Sequence, residues 1–172
     1  KTYQTSTLGC FYSSEINRAI KRINPDVIHI HWIGNELMSI KQISDLKKKI
    51  VFTLHDMWMI LPHQHYFLES RDYKENYISK KISNFLLNEK KKIDNKDLTF
   101  TVPSEWMKNE FIKKNIYPKS RIFKIDYGID FAKWKSIPID KSQAKKKFGI
   151  NLNKRTILFT AFGPNNPRKG LK

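Results

Sequence analysis

The stretch that decides the fold is Val27-Ile28-His29-Ile30-His31-Trp32, an apolar run that directly follows the turn residues Asn24-Pro25-Asp26. A short run of this kind, rich in β-branched residues and bounded by turn residues, predicts a strand buried in a parallel sheet. Comparable runs recur at 50–54, 98–102 and 122–125. We therefore expect four strands in the same sheet.

Helical patterns separate these strands, because apolar residues recur there at a spacing of three and four. Four such patterns are present, at 16–23, 36–48, 76–92 and 104–114. In the third pattern the spacing predicts a buried side made by Ile78, Ile82, Phe85 and Leu86, with lysines opposite. Strands and helices that alternate across short links predict an α/β fold, a Rossmann-like parallel sheet with helices on both faces.

A second set of elements begins after residue 130. Residues 131–150 contain Pro138 and predict an interdomain linker followed by a helix over 141–148, with Gly149 as its C-cap. Residues 151–172 predict the start of another α/β domain, with a strand over 156–161. We therefore expect a first domain over 1–130 and a boundary near residue 130.

The formal charge of +17 and the pI near 9.9 limit the partners of the chain. Six of the 33 basic residues are arginine, which leaves 27 lysines. A lysine-rich solvated surface, an anionic membrane and nucleic acid are all compatible with this charge. Nucleic acid is the least favoured of the three and is not expected as a partner, because base readers rely on arginine. The lysines of 76–92 fit peripheral contact with the inner face of the cell membrane.

Cysteine and hydropathy narrow the class further. Cys10 is the single cysteine, so the sequence excludes a disulfide framework and a cysteine zinc site, and it fits a reducing cytoplasmic compartment. The apolar runs are all shorter than the roughly 20 residues that cross a bilayer.

The histidines are candidate metal ligands. His29 and His31 share one face of a strand, and three further histidines are present in the chain. Because no acidic ligand lies at metal spacing, we expect no bound metal.

Polar and aromatic side chains follow the predicted strands at the points where the strands end. Ligands of open parallel sheets bind outside the carboxyl ends of the strands, so we expect these side chains to meet at one edge. They are His31, Trp32, His55, Asp56, Trp58, Ser104, Glu105, Asp126, Gly128, Gly163, Arg168 and Lys169. His55 and Asp56 form either an acid–base site or a turn that Asp56 caps. Arg168-Lys169-Gly170 predicts a diphosphate site at a helix start, although it lacks the P-loop pattern.

The order of these segments resembles glycosyltransferase family 4, and within it the colanic-acid and exopolysaccharide enzymes. The resemblance rests on five motifs in order: 25–32, Thr53-Leu54-His55-Asp56-Met57-Trp58, Val102-Pro103-Ser104-Glu105-Trp106, Tyr127-Gly128-Ile129-Asp130 and Pro167-Arg168-Lys169-Gly170. It implies a GT-B fold of two Rossmann-like domains, with 1–130 as most of the acceptor side and 151–172 as the start of the donor side. It also implies retaining transfer from a nucleotide sugar to a saccharide or lipid-linked acceptor in cell-surface polysaccharide biosynthesis.

The resemblance assigns roles by position. It implies that His55 and Asp56 are catalytic and that His31, Trp32 and Trp58 lie on the acceptor side. The donor-binding residues it implies are Gly128, Gly163, Arg168 and Lys169. It implies no metal and no cofactor beyond the nucleotide-sugar co-substrate.

The chain also departs from the family pattern. Asp126-Tyr127 replaces the usual Pro-Asn before Gly128, and Gly163-Pro164-Asn165 replaces a common Gly-Arg-Leu, so Arg168 would substitute for that arginine. The family's Gly-rich first strand is expected before residue 1 and its paired glutamates after residue 172, so we expect these 172 residues alone to be inactive. A basic nucleic-acid-binding α/β protein and an inactive truncated remnant are the alternatives.

Overall fold

Four parallel strands form one sheet in the first of two compact units, Lys1–Asp126 and Tyr127–Lys172. The structure, a computed structural model, describes residues 6–33, 37–67, 76–95, 98–135, 140–161 and 169–170. The strands are β1 (Val27–Ile30), β2 (Lys49–Thr53), β3 (Leu98–Val102) and β4 (Arg121–Lys124). They lie side by side in chain order, with all three neighbouring pairs parallel, which confirms the predicted α/β class and its parallel sheet.

Helices precede each of the four strands of the first unit. They are α1 (Ser14–Ile23), α2 (Ile40–Asp45), α3 (Tyr77–Lys92) and α4 (Glu105–Lys114). Ser13 and Ser104 are the N-caps of α1 and α4, because their side chains accept hydrogen bonds from the backbone N–H groups three residues later. The helix predicted over 36–48 is shorter, because Ser39 caps a helix that begins only at Ile40; residue 36 lies outside the described residues.

One face of the sheet carries the core. Ile30, Phe52 and Phe100 belong to a single buried cluster with apolar side chains of α2 and α4. The ring of Phe100 lies 4.7 Å from that of Phe111 in α4. On the opposite face, Val27 and Phe123 are about half exposed. Within the described residues, the helices of this unit therefore cover one face, and the other face presents side chains to solvent.

The buried side of α3 differs from the prediction. Leu86 is buried as expected, but Ile78, Ile82 and Phe85 are exposed, and Lys90 is completely buried. The helix was predicted correctly, but its buried face consists of Ser83, Leu86 and Lys90 and shares only Leu86 with the predicted one. Among the described residues, no helix is long and apolar enough to cross a bilayer.

The described part of the second unit contains two helices, α5 (Phe131–Lys135) and α6 (Lys141–Lys147). The predicted helix over 141–148 is confirmed, with Asp140 as its N-cap and Gly149 at φ +64° after it. The segment predicted as interdomain linker contains a short helix at 131–135, at whose start Asp130 accepts from the N–H of Lys133 at 3.0 Å. The strand predicted over 156–161 is also wrong: these residues pair with no described strand, and a strand needs a hydrogen-bonded neighbour.

Candidate functional site

His55 lies just beyond β2, at the carboxyl edge of the sheet. Its Nε2 atom is 2.9 Å from Nδ1 of His31, which follows β1, and the two rings are nearly stacked at 5.2 Å. The ring of His29 lies 4.2 Å from that of His31. We call His29, His31 and His55 the imidazole row. All three side chains are exposed, so the row presents hydrogen-bonding nitrogens to solvent.

Two hydroxyl groups extend the imidazole row into the sheet. Nε2 of His29 lies 2.7 Å from Oγ1 of Thr53 in β2. That oxygen lies 2.6 Å from Oγ1 of Thr101 in β3. The parallel register pairs Thr53 with Thr101 across the two strands, which explains how the hydroxyls meet. The sheet thus fixes one end of the row while its other end faces solvent.

The environment of the row favours the neutral form of His29 and of His55. Burial lowers the pKa of His55, and the neighbouring His31 lowers that pKa further, while Asp56 acts in the opposite direction. Burial and the two other histidines also lower the pKa of His29. A neutral imidazole has one N–H donor and one lone pair, so it can bind a sugar hydroxyl from either side or move a proton near pH 7.

Asp56 has a different environment from His55, although the two are adjacent. One carboxylate oxygen accepts from the backbone N–H of Trp58 at 2.9 Å, and the other lies 2.6 Å from Nδ1 of His65. Nε2 of His65 lies 2.9 Å from the hydroxyl of Thr7. All these side chains are buried. Asp56 therefore caps the turn after β2, the alternative that the sequence had left open beside an acid–base role.

The side chain of Lys90 stabilises the same turn through hydrogen bonds to its backbone. Its ammonium donates to the carbonyl oxygens of Trp58, of Leu61 at 2.7 Å and of Pro62 at 3.0 Å, and it lies 3.9 Å from the centre of a Trp58 ring. Burial lowers the pKa of Lys90 well below its usual value, and Asp56 opposes that shift. Three carbonyl acceptors match the three N–H donors of a charged ammonium. We call Asp56, His65, Thr7, Trp58 and Lys90 the buried network.

The two tryptophans expected on the acceptor side occupy different positions. Trp32 is about half exposed, and its ring lies 6.2 Å from that of His65. Trp58 is 3% exposed, and its Nε1 donates to the carbonyl of Thr7 at 2.6 Å. A small hollow lined in part by Trp32, His55 and Trp58 lies beside them. Of the two, only Trp32 offers a ring face of substantial area to a ligand.

The other predicted site residues are spread over the chain. Ser104 caps α4, and the side chain of Asp126 pairs with Lys124 at 2.7 Å. Gly128 and the exposed Lys169 belong to the second unit, and a side-chain carbon added at Gly128 would meet nothing within 4 Å. Gly163 and Arg168 lie outside the described residues. The structure thus brings together the residues predicted after β1 and β2, and those of the donor side stay a prediction.

The described part of the chain contains no candidate metal site. There, no group of three or more histidine, cysteine, aspartate or glutamate side chains is arranged to hold an ion. In the imidazole row, His31 and His55 hydrogen-bond to each other, and His29 hydrogen-bonds to Thr53.

Sequence patterns missed the buried network. Lys90 lies in the run Lys90-Lys91-Lys92, which predicts a solvated face, and His65 lies in a stretch without periodicity. A weak signal was present, because Lys90 shares a helix face with Ser83 and Leu86, at spacings of seven and four. Thr7 carried no local signal, since its partner is 58 residues away in the chain.

A parallel sheet of four strands, each preceded by a helix, has the character of a Rossmann-like α/β domain. The model of Glycosyltransferase Family 4 matches residues 2–133, which is more than half of the chain. The chain therefore belongs to glycosyltransferase family 4. Comparison with curated proteins and with solved structures finds no match.

Proposed function

We propose that the chain forms the acceptor side of a glycosyltransferase that moves a sugar from a nucleotide-sugar donor to a saccharide or lipid-linked acceptor, with retention of configuration. The observation that carries the proposal is the exposed imidazole of His55 at the carboxyl edge of the sheet, beside His31 and Trp32. A neutral imidazole suits sugar hydroxyls, and an exposed indole suits the apolar face of a sugar ring.

The second unit supplies the electrostatic part of this proposal. When the bond between sugar and nucleotide breaks, negative charge develops on the leaving diphosphate, and fixed cations lower that barrier. Lys169 is exposed, and with Arg168 it is our candidate for this role. Gly163 is proposed as a donor-binding residue of the same loop. Gly128 has open space around its α-carbon, which permits close approach of a ligand.

Activity of the full product of the gene tests the proposal. We expect release of nucleotide from a UDP- or GDP-sugar in the presence of a saccharide acceptor, and an unchanged anomeric configuration in the product by NMR. His55→Gln should lower kcat/KM about 100-fold or more, because it removes a positioned acid–base group. His63→Gln is the matched control, since His63 contacts Ser6 at 2.8 Å and lies outside the imidazole row. An inverted product, or full activity in His55→Gln, contradicts the proposal.

We propose that the enzyme acts at the cytoplasmic face of a membrane, in cell-surface polysaccharide biosynthesis. The support is the exposed apolar stripe of α3, Tyr77, Ile78, Ile82 and Phe85, on a helix that also exposes Lys80 and Lys81 in a chain of charge +17. Apolar side chains flanked by lysines favour an anionic bilayer surface.

Liposome binding tests the membrane proposal. The protein should sediment with vesicles containing phosphatidylglycerol at low salt and should do so less at high salt. Ile78→Ser combined with Ile82→Ser should weaken binding at both salt concentrations, whereas Ile112→Ser, a matched exposed isoleucine on α4, should not. Equal binding by the α3 variant and the parent chain would show that the apolar side chains of α3 do not contact the membrane, which contradicts the proposal.

A further inference from the structure

The imidazole row links the protonation of two of its members. The hydrogen bond between Nδ1 of His31 and Nε2 of His55 is 2.9 Å long. Such a bond needs one N–H and one lone pair, and each neutral imidazole carries a single N–H. If His55 donates from Nε2, the proton of His31 must be on Nε2; if His31 donates from Nδ1, the proton of His55 must be on Nδ1. The two neutral rings therefore protonate the same type of nitrogen.

The sheet holds His31 in a fixed place for this bond. His31 follows β1 on the same face as His29, whose ring lies 4.2 Å away and whose Nε2 contacts the Thr53 hydroxyl. His55 follows β2, the neighbouring parallel strand, and its ring is nearly stacked on that of His31. The orientation of His55 is thus constrained by backbone pairing through β1 and β2 as well as by its own side-chain torsions.

We propose that His31 is a positioning residue that fixes the ring orientation and the protonated nitrogen of His55. The consequence for reactivity rests on the proposed function, in which His55 meets the sugar; the coupling of the two rings does not. His31 acts through His55 in this proposal and is not itself a catalytic residue. The bond uses Nε2 of His55, and whether Nδ1 of His55 donates or accepts is then set by the tautomer that His31 adopts.

The groups around the imidazole row oppose the binding of more than one proton by its rings. The groups that act on the pKa of His55 are His31, which lowers it, and Asp56, which raises it. Those that act on the pKa of His29 are His31 and His55, both lowering it. Because the Asp56 carboxylate is held by His65 and by the backbone of Trp58, it stays in place when the row titrates. A second proton on the row would place two like charges on neighbouring rings.

Nitrogen-15 NMR of the chain tests the coupling directly, because the chain has only five histidines. Long-range proton–nitrogen spectra distinguish protonated from unprotonated ring nitrogens, and we expect His31 and His55 to show the same type. His31→Phe should change the tautomer ratio of His55 and raise its pKa. His31→Asn, whose amide can donate or accept near the position of Nδ1, should retain most of the parent pattern. Unlike tautomers in the parent chain, or a His55 that does not respond to His31→Phe, would overturn the proposal.

Two controls keep the NMR experiment decisive. His29→Phe keeps a ring beside His31 and removes the hydrogen bond to Thr53. It should leave the His55 tautomer unchanged. The signals of His65, which lies in the buried network, should stay the same in every variant and report that the fold is intact. If His65 shifts in His31→Phe, the comparison of His31→Asn with the parent chain decides, and loss of the parent pattern there counts against the proposal.

Kinetics of the full gene product test the consequence for reactivity. We expect kcat/KM at pH 7 to fall about tenfold or more in His31→Phe, since a small misplacement of a reacting group is costly. The acid limb of the pH profile should move upward together with the pKa of His55, and His31→Asn should recover most of the loss. An unmoved pH profile beside an intact ring coupling overturns the positioning role. If His55→Gln also keeps full activity, the proposed function fails while the coupling stands.

Discussion

Adjacent residues His55 and Asp56 belong to two regions with opposite properties. The side chain of Asp56 lies in the buried network, where both of its oxygens are occupied and the nearby cation Lys90 is completely buried. The side chain of His55 lies in the exposed imidazole row. The end of one strand thus carries a buried structural contact and an exposed polar cluster side by side, because successive side chains leave the backbone in different directions. One region holds the turn, and the other exposes imidazoles at the edge of the sheet.

The largest effect that we expect in the buried network is that of Lys90→Met. Methionine fills similar space but leaves the carbonyls of Trp58, Leu61 and Pro62 without their donor and removes the cation near Asp56. Loss of one partner from a buried charged cluster costs about 3–5 kcal/mol. Urea unfolding measures the change in the free energy of unfolding. A loss below about 1 kcal/mol would show that the network does not hold this turn.

Lys145→Met is the matched control for that variant. Lys145 also donates to three backbone carbonyls, those of Asn151, Leu152 and Lys154, but these contacts are local and lie in the second unit. Hydrogen exchange should become faster in peptides covering 50–61 in Lys90→Met and stay unchanged there in Lys145→Met. Equal changes at 50–61 would contradict a specific role for Lys90.

Gly9→Ala should come next in size, because it disturbs the packing of Trp58 from the other side. Gly9 has φ +67°, and an added side-chain carbon would lie 2.9 Å from the Trp58 ring and 3.0 Å from Ile40. Overpacking of this kind costs about 1–3 kcal/mol, with backbone strain added. Thermal unfolding should show a lower Tm, whereas Gly128→Ala, with nothing within 4 Å, should leave the Tm within about a degree. A normal Tm for Gly9→Ala would mean that Trp58 can move.

Asp56→Asn should have a smaller effect of about 1 kcal/mol. The amide can still accept from the Trp58 N–H, and His65 can change its tautomer to keep a hydrogen bond, so mainly the charge is lost. Asp45→Asn on the surface, where Asp45 pairs with Lys41, should change the free energy of unfolding very little. If Asp56→Asn removed transferase activity without any loss of stability, Asp56 would have a chemical role in addition to its cap.

The smallest effect should be the pH dependence of stability that arises from the imidazole row. The pKa values of His29 and His55 are lowered in the folded chain, so the unfolded chain binds more protons as the pH falls through about 6.5. The stability contributed by these neutral rings is therefore complete above that pH and decreases below it. Urea midpoints at pH 7.5 and 5.5 measure the slope, and His29→Gln with His55→Gln should flatten it. An unchanged slope in the double variant would contradict the lowered pKa values.

Much of the fold could be predicted from local patterns. The run at 98–102 predicted a strand because burial on a parallel sheet selects apolar residues, and the run at 27–32 contains a strand although one of its faces is exposed. The helical spacing of apolar residues located α1 and α4, because that spacing is a local pattern. The strand predicted at 156–161 failed for the opposite reason: its pattern is local, but a strand forms only with a hydrogen-bonded partner.

The position of the candidate site could be predicted, but not which of its residues are buried structural contacts and which are exposed. Strand ends indicated His31, Trp32, His55 and Asp56, because the carboxyl edge of a parallel sheet collects ligand-binding residues. The spacing of α3 could not show which of its sides faces inward. A buried lysine cannot be told from a solvated one in the sequence, because the carbonyls that accept its hydrogen bonds are not local. Those of Lys90 belong to residues 28 to 32 positions earlier.

The sequence by itself determined the α/β class, the order of strands and helices and the residues at the strand ends, because these depend on neighbours within a few positions. Only the tertiary structure decided that Asp56 is a buried cap, that His55 joins His31 and His29, and that Lys90 supports the turn beneath them. Those assignments depend on hydrogen bonds between groups that are distant in the chain, such as Asp56 with His65, His31 with His55 and Lys90 with Trp58. The physical reason is that folding sets the distance between such groups, and local sequence does not.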